Sequence, residues 1–365
     1  MASANEAIIA AAGSGKTKHI LDVALDDPSV RSLIVTYTTE NLREINTRLW
    51  EKAGGPAHNV TTMSWFEFLL RDGVKPYQSY KTRINRIRSI DFITQNPPFS
   101  RRDDFESYYL DSADNVYSDA VSDLAVVLNE DSGGKVIRRL EAIYDRIFVD
   151  EVQDLAGWDL EFLHLLLSSK MQVVVVGDPR QAVYSTNRSN KHSGFRGAKF
   201  MDWLKAREKD GLCVIQTMDT SHRCNQAICD FADSIYPSMP KTKSTNLGGP
   251  EHQGIVFVHQ NHLEAYLDAY PAQELRWDRR SSLAGPAARN FGQVKGQSFD
   301  RVLIHPTDTI TAFVEKGTAL KERTAAKFYV AVTRARHSVA IVSKKKSSAT
   351  SIPFWSPGAD RRTPA

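Results

Sequence analysis

Ala10-Ala11-Ala12-Gly13-Ser14-Gly15-Lys16-Thr17 sets two glycines, a lysine and a hydroxyl residue between an apolar run and a helical pattern. Ala7–Ala12 reads as a short buried strand, and 18–24 as the start of a helix. A turn of this kind aims successive backbone N–H groups at one point, where the helix dipole also favours negative charge. Gly13 and Gly15 let the Ala12–Gly15 backbone approach a phosphate, Lys16 reaches the outer phosphates, and the Thr17 hydroxyl ligates Mg²⁺. The first glycine of the usual phosphate-loop pattern is Ala10 here. The chemistry implied is nucleotide binding.

A second set follows in Ile147-Phe148-Val149-Asp150-Glu151-Val152-Gln153-Asp154, a strand that ends in adjacent carboxylates. Beside a phosphate loop, Asp150 can hold Mg²⁺ through water and Glu151 can polarise an attacking water. The plainer reading is a helix N-terminus rich in acids, which Asp154 and Asp159 also suit; the two are compatible. Gln181 follows another apolar strand, 171–176, where a neutral amide can sense a terminal phosphate. Arg71, Lys75, Lys81, Arg83, Arg86 and Arg88 crowd one segment with Tyr77 and Tyr80 between them. Such a mixture suits single-stranded nucleic acid, where cations follow the backbone and rings stack on bases. A solvated helix face is the alternative.

These residues need elements to hold them. The chain has 365 residues, enough for about two domains. Its 41% apolar and 25% charged content is that of a soluble globular protein, and a net charge of +4 permits a polyanionic partner. Three cysteines, Cys213, Cys224 and Cys229, are too few for a disulfide framework. Cys224, Cys229 and His222 lack a fourth metal ligand, so buried structural thiols are expected. A strand from residue 7 leaves no room for a leader and no long apolar run appears, so a cytoplasmic protein without a membrane segment is expected.

Short apolar runs alternating with helical patterns argue for parallel α/β sheets, whose ligands bind beyond the carboxyl ends of strands. The expected divisions are 1–70 with 146–211 as a first α/β domain, 71–145 as a helical insertion, 212–343 as a second domain and 344–365 as a disordered basic tail. Within the insertion, a helix is expected over 115–128. After Ser221-His222-Arg223 another helix is expected, running through Ile235.

Taken in order, these motifs resemble those of the UvrD/Rep-type superfamily 1 DNA helicases, over residues 7–343. That family's phosphate loop often starts with Ala, like Ala10. Tyr37-Thr38 resembles the next motif, whose aromatic contacts a base, and Thr61 with Ser64 resembles a further strand-contacting motif. Asp150-Glu151-Val152-Gln153-Asp154 is similar to the family's D-E-x-Q-D box. Gly177-Asp178 with Gln181 and Tyr184, then Phe195-Arg196-Gly197-Ala198, resembles the motif coupling ATP to DNA, split here by an insertion. Arg223 falls on a first γ-phosphate arginine and Arg334, in Val332-Thr333-Arg334-Ala335, on a second. Lys295-Gly296-Gln297-Ser298-Phe299 resembles the nucleotide-side K-G-x-E-F motif, with Ser298 where a ribose-contacting Glu is usual.

The resemblance implies two RecA-like parallel-sheet domains in tandem, with a helical insertion in the first. It implies ATP and Mg²⁺ bound at the cleft between them, and 3′→5′ movement on single-stranded or tailed duplex DNA. Tyr37, Tyr184 and Phe195 would stack on bases, while Ser64 and Arg196 hold phosphates. The family's N-terminal glutamine motif, which reads adenine, would lie ahead of residue 1, and base selectivity stays open. Asn290 and Gly292 stand where Thr and His are usual, and little chain remains for a second accessory domain. The alternative these departures favour is a DNA-stimulated ATPase switch that does not itself unwind, acting with a nuclease or other protein partner. A small-molecule phosphoryl-transfer enzyme would need no paired arginines in a second domain.

Overall fold

In the computed structural model, residues 5–84, 86–94, 100–102, 104–249, 252–279, 284–345 and 350–358 are described. Contacts divide the chain into two units, Met1–Ile9 with Lys16–Thr217, and Ala10–Gly15 with Met218–Ala365.

The first unit starts with β1 (Glu6–Ala10), α1 (Lys16–Asp26), β2 (Ser32–Thr36), α2 (Thr39–Ala53), β3 (Val60–Ser64) and α3 (Trp65–Phe68). The insertion carries β4 (Ile90–Asp91), α4 (Phe105–Tyr109), β5 (Val116–Tyr117), α5 (Val121–Asp131) and α6 (Lys135–Ile143). The sheet then resumes with β6 (Arg146–Asp150), α7 (Trp158–Leu167), β7 (Gln172–Gly177), α8 (Phe200–Lys209) and β8 (Val214–Met218). Its strand order is β3-β2-β6-β7-β1-β8. β2 pairs in parallel with β3 and β6, and β7 with β6 and β1. Leu33, Ile34 and Val35 of β2, and Val173 to Val176 of β7, are buried, as strands covered on both faces must be. Parallel pairing sends the turns after β1, β2, β3, β6 and β7 to one edge of the sheet, and the candidate residues lie on those turns.

The insertion is partly helical and tightly packed. Leu124, Ala125 and Leu128 of α5 join one core with Val74, Val136, Leu140 and Phe162. Its expected helix begins at Val121, not Asn115. The Asp111 carboxylate accepts from the amides of Ala113 and Asn115 at 2.8 Å, which turns the chain, and Val116–Tyr117 pairs with β4 instead. Tyr77 and Tyr80 are both hydrogen-bonded to Lys135, with the Tyr80 ring exposed. The Tyr77 hydroxyl donates to Lys135 O at 2.8 Å, and Lys135 Nζ donates to the Tyr80 hydroxyl at 2.6 Å. Arg83 and Arg86 remain exposed.

The second unit contains β9 (Thr220–Asn225), α9 (Gln226–Ile235), β10 (Lys243–Asn246), β11 (Gly254–His259), α10 (Leu263–Ala269) and β12 (Gln273–Arg276). It continues with β13 (Arg289–Asn290), β14 (Phe299–His305), α11 (Asp308–Lys316), α12 (Glu322–Val332), β15 (Ala335–Ser343) and β16 (Phe354–Trp355). Its main sheet has the order β13-β12-β14-β15-β11-β16, paired in parallel throughout. β9 and β10 form a separate parallel pair. Two six-stranded parallel sheets with helices make this a tandem α/β fold of the RecA-like kind.

Three expectations need correction. The second unit begins at Met218 rather than 212, because β8 lies beside β1 as the sixth strand of the first sheet. The helix expected after Arg223 starts only at Gln226, because β9 runs on to Asn225, whose side chain caps α9 by accepting from Ile228 N at 3.1 Å. The stretch 344–365 is not all disordered tail: Phe354–Trp355 pairs with β11. Trp355 is buried against Tyr266, ring centroids 5.2 Å apart, and apolar burial there outweighs the polar composition around it. Lys344 and Lys345 are described, whereas Lys346 and residues 359–365 lie outside the described residues.

The packing of β16 is open to test. Trp355→Ala should lower the stability of the second unit by about 3 kcal/mol, read as an earlier urea midpoint. An unchanged midpoint would mean that the strand adds nothing to that core.

Candidate functional site

The phosphate-loop turn is held in shape by backbone geometry and by β9. Gly13 and Gly15 have φ of +78° and +83°, the left-handed region that favours glycine. A Cβ on Gly13 would come within 2.6 Å of Arg223 Cβ and 2.8 Å of Ser221 Oγ, so close approach excludes a side chain as well. Ser221 Oγ donates to Ala12 O at 2.8 Å, and His222 N donates to Gly13 O at 2.9 Å. These bonds bring Arg223 to the turn.

The Arg223 guanidinium donates to Thr333 O at 3.3 Å. Arg334, one residue on, is 2% exposed and donates to Val330 O at 3.1 Å and Gln297 O at 3.2 Å. Thus Gln297 and both arginines meet at the Thr333 turn, and Arg223 also approaches Gly13. Cys224 Sγ donates to Thr333 O at 3.5 Å, Cys229 Sγ to Cys224 O at 3.8 Å, and His222 Nδ1 bonds Thr245 Oγ1 at 2.7 Å. All three cysteines are buried free thiols, and among the described residues no cluster of His, Cys, Asp and Glu is built to hold a metal.

On the first unit, Lys16 Nζ pairs with Glu151 Oε1 at 3.3 Å, both side chains 11% exposed. Glu151 adopts a φ of 55°, a strained conformation for a non-glycine residue directly after β6. Its other oxygen accepts from Gln153 Nε2. Gln153 Oε1 in turn accepts from Asp178 N at 3.0 Å, and a Cβ on Gly177 would overlap that oxygen. Asp178 Oδ2 accepts from Gln181 Nε2 at 2.9 Å, and Oδ1 accepts from Arg180 Nε at 2.9 Å. The result is a continuous bonded series, Lys16–Glu151–Gln153–Asp178–Gln181. Asp150 ends β6 with 4% exposure, and Thr17 is the second residue of α1.

These residues fit a nucleotide. The glycine cradle rejects side chains, the first turn of α1 carries no acid, and the buried Ser14 hydroxyl has no hydrogen-bond partner among the described residues. Gln153 and Asp178 enter the sequence reading only as motif members. Their roles depend on the close approach of β7 to the turn after β6, which spacing along the chain does not reveal.

A second feature lies beyond β2 and β3. Tyr37, Thr38, Ser64, Phe66, Phe92 and Tyr184 line a cleft of about 380 Å³. The Tyr37 ring lies 5.8 Å from Phe66 and 6.1 Å from Tyr184, and Phe66 lies 5.0 Å from Phe92. Burial pushes the Tyr37 hydroxyl pKa up, helped by Asp154 and Asp159. The Thr38 and Ser64 hydroxyls cap α2 and α3, each accepting a backbone N–H at 3.2 Å. Of the seven strand-contact residues expected, Tyr37, Thr38, Ser64 and Tyr184 come together here. Thr61 lies three residues back on β3, Phe195 packs on His192, and Arg196 Nη2 donates to Ser189 O at 2.5 Å. Phe66 and Phe92 were missed. Phe66 follows Ser64 by two residues and was legible as a neighbour; Phe92 comes from the insertion and carried no signal.

Comparison with known proteins adds to this geometry. Residues 74–209 match the model of the UvrD/REP helicase N-terminal domain. The RecBCD enzyme subunit RecB of Mycolicibacterium smegmatis is 29% identical over 136 residues, which is 37% of this chain and 11% of that protein. A crystal structure of Arterivirus nonstructural protein 10 (helicase) and a complex structure of it with DNA each cover 94% of this chain at 16% identity, with a TM-score of 0.48. The PRRSV helicase structure covers the same share with a TM-score of 0.45. The chain spans 53% to 62% of those three structures. The resemblance to UvrD/Rep-type helicases thus extends from the motifs to residues 74–209. Among the described residues, no helix is long and apolar enough to cross a membrane.

The bonded series makes a direct prediction. Gly177→Ala should displace Gln153 and loosen Glu151, lowering nucleotide hydrolysis by about 100-fold. Nucleotide affinity should change little, so steady-state rates and a binding titration check it together.

Proposed function

We propose that this chain is an ATP-driven translocase on single-stranded DNA, moving 3′→5′ and able to open tailed duplexes. The observation that carries the reading is the series from Lys16 through Glu151, Gln153 and Asp178 to Gln181, three residues before Tyr184 on the aromatic cleft. A nucleotide-side change at Glu151 therefore has a short, bonded route to a ring that faces the strand.

In this reading the Gly13–Thr17 turn binds the triphosphate of ATP, with Lys16 exchanging Glu151 for phosphate oxygens. Thr17 and Asp150 would hold Mg²⁺, which neutralises charge on the phosphates when bound. Glu151, released from Lys16, orients and deprotonates the attacking water. Arg223, already beside Gly13, and Arg334 stabilise charge on the γ-phosphate, a contribution of about 10³–10⁵ in rate for such arginines. Lys295 and Gly296 support the nucleotide side. Tyr37, Tyr184, Phe66 and Phe92 offer faces to unstacked bases, each stacked base contributing about 1–3 kcal/mol with little sequence preference.

A second reading is an ATPase switch that responds to DNA without unwinding it and serves a nuclease or another partner. It is favoured by Asn290, Gly292 and Ser298 in the drifted motifs, and by a relative that is itself a subunit of a larger enzyme.

Hydrolysis rates with and without oligo-dT, beside strand displacement on a 3′-tailed duplex, separate the two. Stimulation with displacement is expected. Stimulation without displacement supports the switch, and indifference to DNA defeats both.

A further inference from the structure

One carboxylate joins two parts of the aromatic cleft without lining it. Asp159 stands in the first turn of α7 and is 1% exposed. Its Oδ1 accepts from Trp65 Nε1 at 2.8 Å, and its Oδ2 accepts from the Thr186 hydroxyl. Trp65 separates Ser64 from Phe66, and Thr186 lies two residues beyond Tyr184; Ser64, Phe66 and Tyr184 all line the cleft.

Thr186 is fixed from other sides too. Its hydroxyl accepts from Ala156 N at 3.1 Å, and its own N–H donates to Asp154 O at 3.0 Å. Asn187 Nδ2 donates to Asp119 O at 2.8 Å, and Gly157, with a φ of +61°, must be glycine because a Cβ there would also meet Asn187 Oδ1 at 2.6 Å. The polar stretch after Tyr184 is therefore seated on the start of α7 rather than looped out. Burial pushes the Asp159 carboxyl pKa up, while the bonds from Thr186 and Trp65 pull it back.

We propose that Asp159 is a positioning residue for strand binding: by holding Trp65 and Thr186 together it fixes the spacing between the Ser64–Phe66 wall and the Tyr184 ring. The inference rests on the reading of this cleft as the single-strand site. A base gains from stacking only where rings stand at contact distance, so a loosened wall should cost strand affinity and leave the phosphate loop alone.

The test uses fluorescein-labelled oligo-dT, a fluorescent ATP analogue and the thermal midpoint. Asp159→Ala should weaken oligo-dT binding about tenfold, and Thr186→Val, which keeps the shape and removes the hydroxyl's bonds to Asp159, Ala156 N and Asp154 O, about threefold. Analogue affinity should stay within about twofold. Asp159→Asn should recover most of the loss, since its amide can accept from Trp65 and donate to Thr186. Adding Tyr184→Ala to Asp159→Ala should cost little more, because that ring is already misplaced. Wild-type oligo-dT binding in Asp159→Ala and Thr186→Val, beside a weakened Tyr184→Ala, would overturn the positioning role alone. Losses additive with Tyr184→Ala, or analogue affinity falling in step, would reduce Asp159 to a structural residue and overturn it too. A Tyr184→Ala protein that binds oligo-dT normally would remove the cleft reading and the inference together.

Discussion

Much of this structure depends on what occupies the Lys16 ammonium. A lysine at the start of a helix beside a phosphate loop carries a charge that burial alone would penalise, and here Glu151 compensates it at 3.3 Å. The pair is nearly buried, so losing this contact is costly for either partner. A polyphosphate supplies more negative charge than one carboxylate and is also met by backbone N–H groups. In the proposed reading the same lysine then switches partners, and Glu151 becomes available for water. A strained backbone at Glu151 and the Gln153 bond hold that carboxylate close to the turn whichever partner Lys16 takes.

The sheet explains why two chemistries lie close together in the first unit. Parallel strands deliver their carboxyl ends to one edge, so the turns after β1 and β6 carry the groups proposed to meet phosphate while those after β2 and β3 carry rings and caps. β7 connects them. Its end at Gly177 must be glycine to admit Gln153, and the next few residues run through Asp178 and Gln181 to Tyr184. Asp159 then ties the chain beyond Tyr184 to the start of α3. Small changes at a phosphate-side carboxylate need travel only a few bonded residues to reach the cleft.

How much of this was legible in the sequence depended on how local each feature is. The Gly13–Thr17 turn, the acids ending β6 and the apolar strands are written within a few consecutive residues, and pattern alone carries them. Phe92 was not legible, because its place beside Phe66 depends on how the insertion returns to the sheet. The role of Gln153 was hidden for the same reason, since its partner Asp178 lies 25 residues away. Composition misled at the C-terminal stretch, where Phe354 and Trp355 were averaged into a Ser- and Lys-rich tract although two aromatic side chains are enough to seat a strand. Tyr77 and Tyr80 looked like stacking rings in a basic segment; the structure engages both with Lys135.

The exchange of partners at Lys16 is measured most directly by titrating a fluorescent ATP analogue into wild-type protein and Glu151→Gln, with single-turnover hydrolysis on each. Removing the competing carboxylate charge should leave the variant binding the analogue at least as tightly as wild type, while hydrolysis falls by about 10²–10⁴. Weaker binding together with near-normal hydrolysis would contradict the account, because Glu151 would then be a support for the loop and not the group that nucleotide displaces.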